Sequence, residues 1–232
     1  MKVLGILGGM SWVSTLEYYR LLNEGIRKEL GGLHSARLVV SSVEFQGLSD
    51  SMASGDWAAV KTVLLAEARR LAAAGAEAIL VASNTMHVYA EEIEDAGGVP
   101  LLHIADAVGA RIGALSLGTV GLLGTRYSME KDFYRKRLRE RFAVESLIPA
   151  EDARAKINSI IFMELCEGRF LDSSRAFVLE EARRLVARGA QGIVLGCTEL
   201  PLIVRQEDLD VARIDSMDAH VEAGVRFMRA ET

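Results

Sequence analysis

The sequence predicts an α/β protein of two similar lobes, each a parallel sheet flanked by helices, related by a pseudo-two-fold axis. Three observations carry that expectation. Apolar strand-like runs alternate with helical patterns along the chain; a segment of the first half recurs almost letter for letter in the second; and the recurrence keeps one spacing through helix, turn and strand. Repeated β-then-α order needs crossover connections, and crossovers make parallel sheets covered by helices on both faces.

Residues 3–7 are a short apolar run closed by Gly8-Gly9, the pattern of a strand entering a turn. A helix follows, with Ser14 or Thr15 as its cap and Tyr18, Leu21, Leu22 and Ile26 on one face. Leu38–Ser42 is the next strand, residues 61–74 are helical, and Ala78–Val81 is again a strand. Further strands are expected at 101–104 and 119–123, and helices at 129–141, 153–167 and 174–188. Residues 192–195 form a strand, and 217–229 a last helix. The first lobe is expected to take 1–98 plus 210–232, and the second 99–209.

The repeat is the strongest signal. Glu67-Ala68-Arg69-Arg70-Leu71 recurs as Glu181-Ala182-Arg183-Arg184-Leu185. The match continues from Gly75-Ala76 to Gly189-Ala190, and from Ile79-Leu80-Val81 to Ile193-Val194-Leu195. The offset is 114 residues throughout, so Ser83-Asn84-Thr85 corresponds to Cys197-Thr198-Glu199. The starts of the halves match at a slightly different offset: Gly5-Ile6-Leu7-Gly8 with Gly121-Leu122-Leu123-Gly124, and Tyr18 with Tyr134. Helix–strand units resemble one another by composition, but composition alone does not preserve a five-residue identity in constant register.

Bulk properties narrow the function. Half of the residues are hydrophobic, enough for substantial cores, and the net charge of −5 offers no basic face for nucleic acid or a membrane surface. Two cysteines, Cys166 and Cys197, are too few for a disulfide framework, and no Cys/His cluster has zinc spacing. The first residues hold too short an apolar run for a signal peptide, and no stretch reaches membrane-spanning length. The expectation is a reducing cytoplasm and free thiols.

In open α/β sheets ligands bind beyond the carboxyl ends of the strands. The first lobe offers Gly8-Gly9-Met10-Ser11 and Ser83-Asn84-Thr85 there; the second offers Gly124-Thr125-Arg126-Tyr127 and Cys197-Thr198-Glu199. If the lobes face each other, the active site lies in the cleft between them, with Ser83 and Cys197 on opposite sides. Backbone N–H groups at helix starts suit a carboxylate, and Asn84, Thr85 and Thr198 add neutral donors. Two proton-carrying side chains flanking an amino acid suit removal of a proton from one face and delivery to the other. A thiol is apt for this, being partly ionised near neutral pH and easily tuned by a helix N-terminus.

Blander readings apply elsewhere. Cys166, in a helical stretch, reads as a small hydrophobe. Ser83 alone would be a helix cap, and only its register with Cys197 raises it above that. His87 either orients a site group or is structural; His34, His103 and His220 read as structural. Gly8-Gly9 lacks the full dinucleotide fingerprint. The basic stretch from Arg126 to Arg139 reads as a solvated helix face, with Arg126 at its head as a candidate ligand.

At these residues the sequence resembles the aspartate/glutamate racemase family, nearly end to end. The likeness rests on Gly5-Ile6-Leu7-Gly8-Gly9-Met10-Ser11, Tyr18-Tyr19, Asn84-Thr85-Met86-His87, Leu123-Gly124-Thr125, Lys156-Ile157-Asn158 and Gly196-Cys197-Thr198-Glu199. Gly9-Met10-Ser11-Trp12 and Gly32-Leu33-His34-Ser35-Ala36 are most similar to a bacterial branch described as L-aspartate/glutamate-specific or broad-specificity amino-acid racemases. The resemblance implies a two-base reaction free of pyridoxal phosphate and of metal, carried out by a homodimer. It implies that Cys197 deprotonates the L enantiomer and that position 83 serves the D face. Met10, Asn84, Thr85, Thr125 and Thr198 are then substrate-binding candidates. So are Gln46 and Cys166, which align where aspartate-selective members hold the distal carboxylate with Arg and Lys. Two departures follow. Position 83 is Ser where most members have Cys and the similar branch has Thr, and Gln46 with Cys166 weakens the case for an exclusively acidic substrate.

Two further readings stay open on sequence grounds. One is a one-cysteine relative, a malonate-type decarboxylase or a maleate cis–trans isomerase. The other is an amino-acid binding protein whose second base has decayed.

Overall fold

A computed structural model describes residues 1–230. The chain forms two compact units: Met1–His103 with the segment from His220 onward, and Ile104–Ala219.

The first unit begins with β1 (Leu4–Gly8), α1 (Trp12–Leu30), β2 (Leu38–Ser42), α2 (Phe45–Ser54) and α3 (Trp57–Ala73). It continues with β3 (Ala78–Val81), α4 (Ala90–Gly97) and β4 (Leu101–Leu102). The strands pair in parallel in the order β2-β1-β3-β4. Every residue of β1 and β3 is buried, as expected for central strands covered on both faces. The cap of α1 is Ser11, not Ser14 or Thr15: its side chain accepts from the Ser14 backbone N–H. Thr15 is turned inward instead, where its hydroxyl accepts from Gly9 N–H at 2.8 Å and donates to the Ser11 carbonyl at 2.9 Å. The α2 helix escaped sequence reading because it buries only Leu48 and Met52; Glu44 caps it, accepting from the N–H groups of Gln46 and Gly47.

The second unit holds α5 (Ile104–Ala114), β5 (Thr119–Gly124), α6 (Arg126–Glu130), α7 (Asp132–Phe142), β6 (Glu145–Leu147) and α8 (Glu151–Met163). After these come α9 (Asp172–Ala187), β7 (Gly192–Gly196) and β8 (Ala212–Asp215). Its parallel sheet runs β6-β5-β7-β8, the same order as the first. The last element among the described residues is α10 (Ser216–Arg229). Because β8 pairs with β7, residues 212–219 belong to the second unit, whereas the sequence placed everything from 210 in the first. The segment 101–104 was expected to be all strand, but α5 already starts at Ile104, inside the second unit. The last helix is likewise exchanged: α10 follows β8 yet packs in the first unit, with Gly224 against Leu22, Leu4 and Leu80.

The repeat extends to hydrogen-bond register. Gly5 pairs with Ile79 as Gly121 pairs with Ile193, and Leu7 with Val81 as Leu123 with Leu195. Gly75 and Gly189 both end their helices at positive φ, 90° and 103°. Glu67 and Glu181 are buried and bind Arg70 and Arg184 one turn on.

Tyr18 and Tyr134 are equivalent and fully buried, but their hydroxyls differ. His220 Nε2–H donates to the Leu102 carbonyl at 2.6 Å, so Nδ1 is left to accept from the Tyr18 hydroxyl at 3.0 Å. Burial, then His87, hold the His220 imidazole neutral by lowering its pKa to about 3. The Tyr134 hydroxyl has no hydrogen-bond partner among the described residues. Tyr18→Phe, which strands a buried nitrogen, is expected to cost about 1–3 kcal/mol. Tyr134→Phe is expected to be neutral or stabilising; urea midpoints of the two variants measure the contrast.

No helix among the described residues is long and apolar enough to cross a membrane.

Candidate active site

In the first unit the loops after β1, β2 and β3 gather at the carboxyl edge of one parallel sheet. Gly9 makes this possible. Its φ is +92°, and a Cβ there would lie 2.2 Å from the Val43 carbonyl oxygen and 2.5 Å from its nitrogen. Val43 N–H in turn donates to the Gly8 carbonyl at 3.1 Å, tying the first two loops together. Met10 is buried beside this junction. Gln46 lies in the first turn of α2, exposed, with its amide donating to Asp50 at 2.8 Å.

Beyond β3 the chain turns tightly, Ser83 N–H donating to the Val81 carbonyl at 2.8 Å. Ser83, Asn84 and Thr85 are all buried, and Thr85 opens a single 3-10 turn over Thr85–Tyr89. The Ser83 carbonyl accepts from His87 Nδ1–H at 2.8 Å. His87 stacks at 4.7 Å on His103 and meets His220 edge-on at 5.6 Å. His87 therefore holds the Ser83 turn, and the other two rings build the support beneath it. Of the three, sequence reasoning singled out only His87.

The second unit presents the equivalent pair of loops. Gly124 and Gly196 are register partners, and a Cβ on Gly124 would lie 2.7 Å from the Gly196 carbonyl oxygen. Thr125 caps α6, its hydroxyl accepting from Ser128 N–H at 3.2 Å. The Arg126 N–H donates to Asn158 Oδ1 at 2.9 Å, which gives the Lys156-Ile157-Asn158 stretch a role in shaping this loop.

Cys197 follows β7 directly and is 5% exposed. Its Sγ–H donates to Glu199 Oε2 at 3.1 Å, and the Thr198 hydroxyl donates to the same oxygen at 2.8 Å. Glu199 is itself buried. Sequence reasoning had a partly ionised thiol tuned by a helix N-terminus. The structure differs: only a short 3-10 turn, Leu200–Leu202, follows, and burial, then the Glu199 carboxylate, push the Cys197 thiol well up. In the sequence Glu199 stands out only within Gly196-Cys197-Thr198-Glu199; its spacing of two residues from the thiol in a strand-end loop is the signal that marks it.

Cys166 lies half-buried in the 3-10 turn Leu165–Glu167 after α8. Its thiol is pushed up to about 12, first by burial and then by Glu199 and Glu167. The cations near these loops are engaged. Arg126 pairs with Glu130 and Glu151, Lys156 sits 3.9 Å over the Phe177 ring, and Arg169 binds Glu167 and the Met163 carbonyl.

Each unit thus ends its third strand in a buried side chain that carries an exchangeable proton, beside a glycine-shaped loop. Known proteins share this fold. A Yersinia pestis crystal structure described as a candidate Asp/Glu racemase is 43% identical, covers 99% of this chain and 100% of its own, and superposes with a TM-score of 0.92. An aspartate racemase homologue from Pyrococcus horikoshii OT3 is 32% identical over 99% of this chain and 100% of its own, with a TM-score of 0.85. The broad specificity amino-acid racemase RacX of Bacillus subtilis (strain 168) is 24% identical over 217 residues, 92% of either chain. The family model Asp/Glu/Hydantoin racemase matches residues 7–224, and the chain belongs to that family of isomerases.

Proposed function

We propose that this chain racemises a free amino acid without a cofactor, Cys197 serving the L face of the α-carbon and Ser83 the D face. The observation that carries the reading is the shared register. β1–β3 and β5–β7 pair in the same register, Gly5 with Ile79 as Gly121 with Ile193, so Ser83 and Cys197 leave equivalent strands at equivalent points. Cys197 takes the α-proton from the L substrate. Backbone N–H groups, with Asn84 and Thr85, stabilise the carboxylate as it gains enolate character. Ser83 returns a proton from the other side, directly or through water. Met10, Thr125 and Thr198 shape the two loops, and Gln46 and Cys166 stand toward the substrate side chain. Since neither of these is charged to match a second carboxylate, the substrate range extends beyond aspartate and glutamate to neutral amino acids. Family kinship supports a homodimer acting in the cytoplasm.

The test is incubation in D₂O with separate L and D forms of aspartate, glutamate, homoserine and several neutral amino acids. Loss of the α-proton is followed by NMR and inversion by chiral chromatography. Appearance of the D enantiomer from an L substrate is the expected result. Because enantiomers have equal free energy in water, kcat/KM must come out equal in the two directions. Absence of exchange with every amino acid, alongside turnover of a substituted malonate, would replace the racemase with a decarboxylase.

A further inference from the structure

A buried thiol with a carboxylate hydrogen-bonded to it is poorly placed to ionise by itself. Desolvation disfavours the thiolate, and a neighbouring negative charge disfavours it again. Yet the thiol proton is already directed at an acceptor, Glu199 Oε2 at 3.1 Å. That oxygen is held in place by the Thr198 hydroxyl at 2.8 Å, and the carboxylate is buried in the same loop.

We infer that Glu199 is the proton sink of the Cys197 side: the thiol works as a neutral relay, passing its own proton to Glu199 as it receives one from the substrate. This rests on the racemase reading. The step balances without any further reactant. The Cα–H bond breaks and its electron pair stays on the substrate, delocalised into the carboxylate. That proton bonds to Sγ while the original S–H proton bonds to Oε2. Glu199 becomes neutral, the substrate gains the negative charge, and sulfur is never left charged in a buried site. Reversal of the same two transfers delivers a proton to the L face.

The other titratable groups around this loop act on the thiols from further off. Cys166 and Glu167 from the turn after α8 face this loop, and their influence on the thiols is to hold them protonated. On the neighbouring strand β8, Asp215 carries Arg213 at 3.6 Å, and Tyr134 of α7 feels the Asp215 charge. Of these groups it is Glu199 that takes the hydrogen bond from the Cys197 sulfur.

Glu199→Gln and Glu199→Asp test the inference with two readouts. One is the rate of α-proton exchange from the L substrate against pH. The other is thiolate absorbance near 240 nm against pH, taken as the difference from Cys197→Ser to isolate Cys197. In the unmodified protein, exchange is expected at neutral pH, well below the onset of thiolate absorbance. Glu199→Gln is expected to lower exchange at least 100-fold at neutral pH. It also brings thiolate formation to lower pH, since the negative neighbour is gone, and exchange then recovers only in step with the thiolate. Glu199→Asp should restore at least tenfold over Glu199→Gln with the original pH profile. A structural role would lower the rate and leave the profile alone. The inference is overturned if exchange in the unmodified protein tracks thiolate absorbance, if Glu199→Gln keeps its neutral rate, or if Glu199→Asp does not recover. Should no amino acid exchange at all, the racemase reading falls by itself. The titration still decides the coupling, which an unchanged thiolate onset in Glu199→Gln would refute.

Discussion

Cys197→Ala is expected to lower α-proton exchange from the L substrate by about a thousandfold, in the middle of the range for loss of a general acid–base group. Ser83→Ala is expected to do something different: inversion stops, while exchange from the L side persists. The contrast follows from the assignment of one proton-carrying group to each face. Both side chains are small and buried, 5% and 8% exposed, so truncation leaves little void and the fold should survive. Single-turnover exchange in D₂O, with separate L and D substrates, gives the two faces independently. Equal losses from both variants on both faces would contradict the assignment.

Gly9→Ala should be the most damaging single methyl in the first unit. Two costs add at that residue. A side chain at φ +92° is strained, and the new Cβ would sit 2.2 Å from a backbone oxygen that cannot rotate away. Together these are expected to cost about 3 kcal/mol or more. Gly75→Ala is the control. Its φ of +90° is nearly the same, but nothing lies within 4 Å of its Cβ position. It should show the strain alone, about 1–2 kcal/mol. Urea denaturation of both variants measures the difference, and equal losses would show that the approach to Val43 is softer than the geometry implies.

The two-lobe α/β plan was legible because it is written in local periodicity and in a repeat. Central strands such as Ala78–Val81 read clearly since both of their faces are buried, and Glu67-to-Leu71 against Glu181-to-Leu185 tied the halves together. Weakly apolar or short elements did not read: α2 buries two residues, and β6 is three residues long. Ser83 and Cys197 could be named from sequence because they stand at strand ends in constant register. The chemistry of Cys197 could not, because a thiol's acidity depends on what surrounds it.

By itself, then, the sequence determined the alternation of strands and helices, the repeat and the two residues it aligns, since these depend on spacing along the chain. Only the tertiary structure decided the exchange of α5 and α10 between the units, the histidine support under Ser83, and the burial of Cys197 against Glu199. Those depend on contacts between distant segments and on the loss of water around a charge, neither of which has a signature in local pattern.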